Sequence, residues 1–116
     1  MIEWKKIAEK EEAENHLLKN NDAKTIRIED KRYCLARFED KYYAMQNNCP
    51  HAGAALGGGW CDSKGNIVCP VHRIAFDIKT GKNATGEGYY IETYPIELRA
   101  DGLYIGFKKK KWWQIF

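Results

Sequence analysis

The sequence predicts an all-β domain with one short helix near its N-terminus, and three observations lead there. Apolar residues alternate with polar ones in short runs. Turn signals interrupt those runs every several residues. Only one stretch, "KEEAENHLL" from Lys10 to Leu18, has helical spacing, with Ala13 and Leu17 four apart on one face.

In chain order, "EWKKIAE" (3–9) reads as a first strand and is followed by the helical stretch. "TIRIE" alternates Ile26 and Ile28 against polar neighbours, as a half-buried strand does. "RYCLARF" and "KYYAMQ" are rich in aromatics and flank Glu39-Asp40, which predicts a hairpin. "NIVC" follows the turn Ser63-Lys64-Gly65. "IAFDI" alternates Ile74, Phe76 and Ile78 and stops at Thr80-Gly81. "YPIELRADGLYIGF" reads as two strands joined at Asp101-Gly102. Many short strands with frequent turns are the signature of an all-β architecture.

The chain has 116 residues, enough for one domain with its own core, expected to span 1–116. No apolar run approaches the length of a bilayer span, and the N-terminus turns polar and acidic where a secretion signal needs its apolar centre. A cytoplasmic location is the default. The formal net charge is +3. Four of the positive charges are Lys108 to Lys111, which leaves the remainder of the chain at −1. A nucleic-acid binder spreads Lys and Arg over a face, so that class is excluded.

Four cysteines, Cys34, Cys49, Cys61 and Cys69, invite a disulfide reading. Two of them are followed closely by histidines, as Cys49-Pro50-His51 and Cys69-Pro70-Val71-His72, with seventeen positions between His51 and Cys69. That pairing, in a chain expected to be cytoplasmic, favours metal. Thiolate and imidazole are ligands of soft and borderline metals. A single zinc is one alternative, but Cys2His2 zinc sites usually begin C-x2–4-C and end H-x3–5-H. Here cysteine and histidine alternate. A [2Fe–2S] cluster suits this better, because one cysteine per loop can meet one iron and one histidine per loop the other.

"CPH" followed by "CPVH" at this separation resembles the Rieske motif, and "AFDIKTG" resembles its usual continuation in soluble Rieske ferredoxins. The likeness extends to "DKYYAMQNNCPHAGAAL" before the loops and "YPIELRADGLYIGF" after them. It implies a Rieske fold: an antiparallel β-sandwich-like base with a small cluster-binding subdomain at about 46–80. It also implies that Cys49 and Cys69 bind one iron, and that His51 and His72 bind the other through Nδ1. With neutral histidines the oxidised centre has no formal charge, whereas a four-cysteine centre carries −2, so an added electron is easier to accept.

Within the family, the Rieske proteins of cytochrome bc complexes carry an extra bridged cysteine in each loop. Ala54 and Val71 occupy those positions, so that bridge is impossible. Those proteins also place Ser and Tyr hydroxyls near the sulfurs where this chain has Ile74 and Phe76. Fewer hydrogen bonds to sulfur mean a lower potential, so the expected midpoint is roughly −150 mV, at the low end of the Rieske range. The resemblance implies a one-electron carrier rather than a catalyst, passing electrons from a reductase to a terminal oxygenase. The small subunit of an assimilatory nitrite reductase, with its large subunit as partner, is the alternative. A zinc-stabilised binding module is a third reading.

Around the motif, Gly53, Gly57, Gly58 and Gly59 suit tight turning or close backbone approach. Pro50 and Pro70 stiffen the chain beside each ligand. Arg73, where soluble relatives often have glycine, is either a cation beside the cluster or a solvated side chain. Cys34 and Cys61 do not fit the ligand spacing. Cys34 reads as a core residue, and Trp60 is expected to pack beneath the loop. His16 reads as a surface residue. The tail "KKKKWWQIF" suits a membrane surface or an acidic partner. The preferred reading is a charged turn and a strand-like end whose Trp112 and Trp113 cover the core.

Overall fold

The computed structural model describes residues 2–15, 17–50, 53–71, 73–84, 86 and 88–108. The elements run β1 (Ile2–Glu9), α1 (Lys10–Asn15), β2 (Ala23–Ile28), β3 (Lys31–Phe38), β4 (Lys41–Gln46), a 3-10 turn (Leu56–Gly58), β5 (Trp60–Cys61), β6 (Asn66–Val68), β7 (Ala75–Asp77), β8 (Thr93–Tyr94), β9 (Ile96–Arg99) and β10 (Gly102–Lys108). The strands form three antiparallel sheets, ordered β1-β10-β9, β2-β3-β4-β8 and β5-β6-β7. The expected all-β fold with one short helix is thus present.

The central strands of the second sheet are buried on both faces, and this explains why β3 and β4 lack the clean apolar-polar alternation of β2. Side chains alternate across a strand. In β3, Leu35 turns towards a core with Ala8, Ala13, Tyr42, Ala44, Leu103 and Ile105. Cys34, Ala36 and Phe38 turn the other way, into a core with Met45, Leu56, Ile67, Phe76 and Ile78. The β1-β10-β9 sheet therefore covers one face of the central sheet, and the small β5-β6-β7 sheet covers the other.

The Glu39-Asp40 hairpin forms as anticipated. Phe38 pairs with Lys41, and both turn residues are left-handed (φ 49° and 64°), as a type I′ turn requires. The second hairpin differs by one residue. Arg99 pairs with Gly102, so the turn is Ala100-Asp101 and Gly102 already belongs to β10. Its lack of a side chain serves the strand, because a Cβ there would lie 2.4 Å from the Ala8 carbonyl oxygen of β1.

The helix is shorter than the Lys10–Leu18 pattern. Its terminal carbonyls find tertiary partners instead of further helical turns. The Tyr42 hydroxyl donates to the Ala13 carbonyl and Arg37 Nη2 to the Glu14 carbonyl at 3.5 Å, while Arg37 Nη1 donates to the Leu18 carbonyl, beyond the helix, at 2.9 Å. Ala13 is still fully buried and Leu17 packs on the same core, so the anticipated apolar face survives. His16 and the tail from Lys109 to Phe116 lie outside the described residues. The two-residue strands β5 and β8 have no periodic signal and are defined only by their neighbours.

An open cleft of about 770 Å³ lies where β4 faces β8 and β9, lined among others by Tyr42, Ala44, Tyr94, Ile96 and Leu98. No described residue of either Cys-His loop lines it. Among the described residues no helix is long and apolar enough to cross a membrane.

Candidate metal centre

The first Cys-His loop leaves the end of β4 and is anchored by two amides. Gln46 Nε2 donates to the Asn48 carbonyl at 2.6 Å, while its Oε1 accepts from the Glu92 N–H at 2.8 Å. Asn47 Oδ1 accepts from the Thr25 hydroxyl and from the Gly57 N–H, both at 3.0 Å. The Asn47 carbonyl accepts from the Leu56 N–H at 2.6 Å. These contacts tie both ends of the loop to β2 and the 3-10 turn. The sequence reading passed over Gln46 and Asn47. Their only signal was the position of two amides just ahead of Cys49, where such side chains commonly bond nearby backbone.

The second loop connects β6 to β7, whose last pair is Val68 with Ala75. At the other end of β6, the β5-β6 turn is held by Asp62, whose Oδ1 accepts from the Lys64 and Asn66 N–H groups at 2.9 and 3.0 Å. Burial disfavours the Asp62 carboxylate, but these bonds and one from the Asn66 side chain outweigh it and hold the carboxyl below its usual range.

The two loops close in the same way despite their different spacings, C-x-H and C-x2-H. Cys49 N–H donates to the Ala54 carbonyl at 2.9 Å, and Cys69 N–H donates to the Ile74 carbonyl at 2.8 Å. Each loop is thus clasped between its cysteine and the residue five positions on. Each has a left-handed residue four positions after its cysteine: Gly53 at φ 70° and Arg73 at φ 55°. For arginine that conformation costs roughly 1–2 kcal/mol, a cost that glycine avoids. Among the described residues of the two loops, Arg73 alone carries a formal charge.

Both loop cysteines are fully buried in the core beneath the small sheet. Their thiols are near enough to influence one another. Burial, and then the neighbouring Cys49, raise the Cys69 thiol above its ordinary pKa, while the Val71 N–H opposes the rise. Two buried sulfur donors thus stand on two matched loops. That arrangement fits an iron held by one cysteine from each arm, because the cation compensates the charge that burial penalises. His51 and His72, the anticipated nitrogen ligands, lie outside the described residues.

Cys34 and Cys61 form a separate pair in the same core. Burial pushes the Cys34 thiol up to about 12, with Cys61 adding to the rise. Burial pushes Cys61 up to about 11, helped by Asp62 and Asp22. Both are free thiols and behave as small apolar side chains. Ala54 packs against the core and Val71 is exposed. Phe76 is fully buried and Ile74 packs beside it, so neither position places a hydroxyl near the sulfurs.

Trp60 does not pack beneath the loop as anticipated. It is 40% exposed, because in β5 the adjacent Cys61 takes the inward position. Gly57 serves a strand rather than the sulfurs. A Cβ there would lie 2.2 Å from Thr25 Oγ1 and 2.4 Å from the Thr25 nitrogen.

Comparison with known proteins agrees with this geometry. The profile of the Rieske [2Fe-2S] domain matches residues 3–95. The ferredoxin component of the naphthalene 1,2-dioxygenase system of Pseudomonas putida is 32% identical over 78 residues, covering 66% of this chain and 74% of that protein. The 3-phenylpropionate/cinnamic acid dioxygenase ferredoxin subunit of Photorhabdus laumondii is 27% identical over 75 residues, covering 61% of this chain and 69% of that protein. Among solved structures, the ferredoxin of carbazole 1,9a-dioxygenase from Nocardioides aromaticivorans superposes with a TM-score of 0.73 at 23% identity, covering 88% of this chain and 95% of that one. A Mycobacterium tuberculosis protein described as an NADH-dependent nitrite reductase small subunit gives 0.81 at 15% identity, covering 95% and 99%. With matched loops, buried thiols and a family profile spanning most of its length, the chain belongs to the Rieske [2Fe-2S] domain family.

Proposed function

We propose that the protein is a one-electron carrier, the ferredoxin component of a ring-hydroxylating dioxygenase-type system. It takes electrons from a reductase and delivers them to a terminal oxygenase. The observation that carries this reading is the pair of matched loops, each with a buried thiol. The sequence relatives support the partner class, since the P. putida and P. laumondii proteins are ferredoxin components of dioxygenase systems.

In this reading Cys49 and Cys69 hold one iron, and His51 and His72 hold the second. The bound cluster supplies a one-electron couple. The rest follows from the chain. The β5-β6-β7 sheet fixes the Cys69 loop on the core, and Gln46 and Asn47 fix the Cys49 loop. The buried setting keeps water from the sulfurs. The Cys69 loop joins β6 to β7 at one end of the small sheet and exposes Pro70, Val71 and Arg73, so that a partner can approach it directly. The chain acts as a single domain, with 46–80 as its cluster-binding part and the cytoplasm as its compartment.

The likeness to the nitrite reductase small subunit concerns the fold. Its partner class would be read from copurification with a large reductase subunit.

The protein purified without oxygen should be coloured, contain iron and acid-labile sulfide in equal amounts, and develop a rhombic EPR signal on reduction. Changing His51 or His72 to alanine should remove that signal. Colourless protein with one zinc per chain would overturn the reading and favour a zinc-stabilised module.

A further inference from the structure

We infer that Arg73 is a specificity-determining residue for the redox partner, selecting a docking face that presents a carboxylate to the Cys69 loop. This deepens the electron-carrier reading and rests on it.

The two Cys-His loops share one backbone requirement. Each needs a left-handed residue four positions after its cysteine, and the first loop meets that need with Gly53. The second has an arginine there at φ 55°. Among the described residues the other four non-glycine residues with positive φ are Asn21, Glu29, Glu39 and Asp40, and each of these stands in a turn leading into or between strands of the central sheet. Arg73 alone among them lies in a cysteine loop. Unfavourable backbone retained at a functional loop points to a use for the side chain.

The surroundings say what that use is. Arg73 is exposed, and among the described residues no carboxylate lies within ion-pair distance of it. Pro50, Gly53, Pro70 and Val71 are exposed and uncharged, with Val71 at 40%. The described residues of the loops thus present an otherwise uncharged surface bearing one cation with no described ion-pair partner. Such a surface packs against an apolar patch and leaves the guanidinium to find an acid. A partner with a carboxylate there gains a charge-assisted bond. A partner with a lysine or arginine there meets like-charge repulsion.

The test uses two trivalent complex ions in place of the partner. Dithionite-reduced protein, freed of excess reductant, is mixed with hexacyanoferrate(III) or with hexaamminecobalt(III). One electron passes from each protein molecule to one complex ion, giving hexacyanoferrate(II) or the cobalt(II) complex. The readout is the ratio of the two second-order rates. Arg73→Glu should lower this anion-to-cation ratio by on the order of tenfold at about 0.01 M salt, and the difference should fade at about 1 M, where the Debye length is short. Arg73→Gly should fall between, with an unchanged visible spectrum and thermal stability no lower than the parent. Lys64→Glu makes the same change in net charge in the Asp62–Asn66 turn, at the far end of β6 from Cys69, and should leave the ratio within about twofold of the parent.

Equal ratios for Arg73→Glu and the parent at low salt would overturn the assignment and leave the carrier reading intact. So would a midpoint shift in Arg73→Gly without any change in ratio, which would make Arg73 a tuner of the cluster. Failure of either ion to change the visible spectrum of dithionite-treated protein would overturn both readings.

Discussion

At the scale of single residues, what surrounds the two cysteine pairs decides what each pair can do. Cys34 and Cys61 ordinarily ionise near 9.0, and the fold pushes them to about 12 and about 11. Each folded value lies above the unfolded one. Their contribution to stability is therefore fully present below about pH 9 and is lost as pH rises towards 11 and 12, because the unfolded chain releases these protons first. Stability should fall by up to about 1.4 kcal/mol per pH unit for each thiol in that window. Denaturant titrations of the parent and of a Cys34→Ala/Cys61→Ala variant should show the steeper alkaline loss in the parent, and equal slopes would refute the assignment. The same burial keeps both thiols protonated near pH 7, so neither should react with iodoacetamide in the folded protein. Cys49 and Cys69 differ in standing on the two matched loops, each N–H bonded to the carbonyl five residues on. With Ile74 and Phe76 offering no hydroxyl, the midpoint should lie near roughly −150 mV, and a value above about +100 mV would contradict this account of the sulfur environment.

At the scale of elements, hairpins and loop tethers set the geometry. Glu39 occupies a left-handed position in a type I′ turn, where asparagine is better suited. Glu39→Asn should stabilise the fold by about 0.5–1 kcal/mol and raise Tm by a few degrees, with no effect on the cluster spectrum. Gly57 behaves differently, because it is pressed against the Thr25 backbone while its N–H is bonded to Asn47. Gly57→Ala must displace β2 or the 3-10 turn. It should cost about 1–3 kcal/mol and broaden the EPR signal, since the Asn47 anchor of the Cys49 loop moves with it. An unchanged Tm would show that the loop tolerates the displacement.

At the scale of the whole molecule, the central sheet separates two cores. One contains both loop cysteines together with Leu56, Ile67, Phe76 and Ile78. The other, built from Leu35, Tyr42, Ala44, Leu103 and Ile105, contains no cysteine. Metal binding contributes to the stability of whatever its ligands join. Removing the cluster should therefore lower Tm and strip hydrogen-exchange protection first from β5, β6 and β7. Protection in β3, β4 and β10 should persist longer. Uniform loss across all strands would show that the two cores unfold as one.

The sequence by itself determined the chemistry and most of the strands. The Cys-Pro pairs with their histidines, and the sequence around them, carry the family resemblance from which the cluster is expected. Ile26 and Ile28 mark β2, and Glu39-Asp40 marks its hairpin, because these are signals between near neighbours. Only the tertiary structure decided the rest. The strand β8 exists through pairing with β4, distant in sequence, and β5 through pairing with β6 and a bridge from Trp60 to Asp22, while the helix ends where Tyr42 and Arg37 meet the Ala13 and Glu14 carbonyls. Trp60 faces outward because Cys61 is drawn inward. The tethering by Gln46 and Asn47, and the match between Gly53 and Arg73, depend on backbone geometry across separate loops. A one-dimensional pattern records which ligands are present. The hydrogen bonds and dihedral angles that aim them depend on residues brought together only when the chain folds.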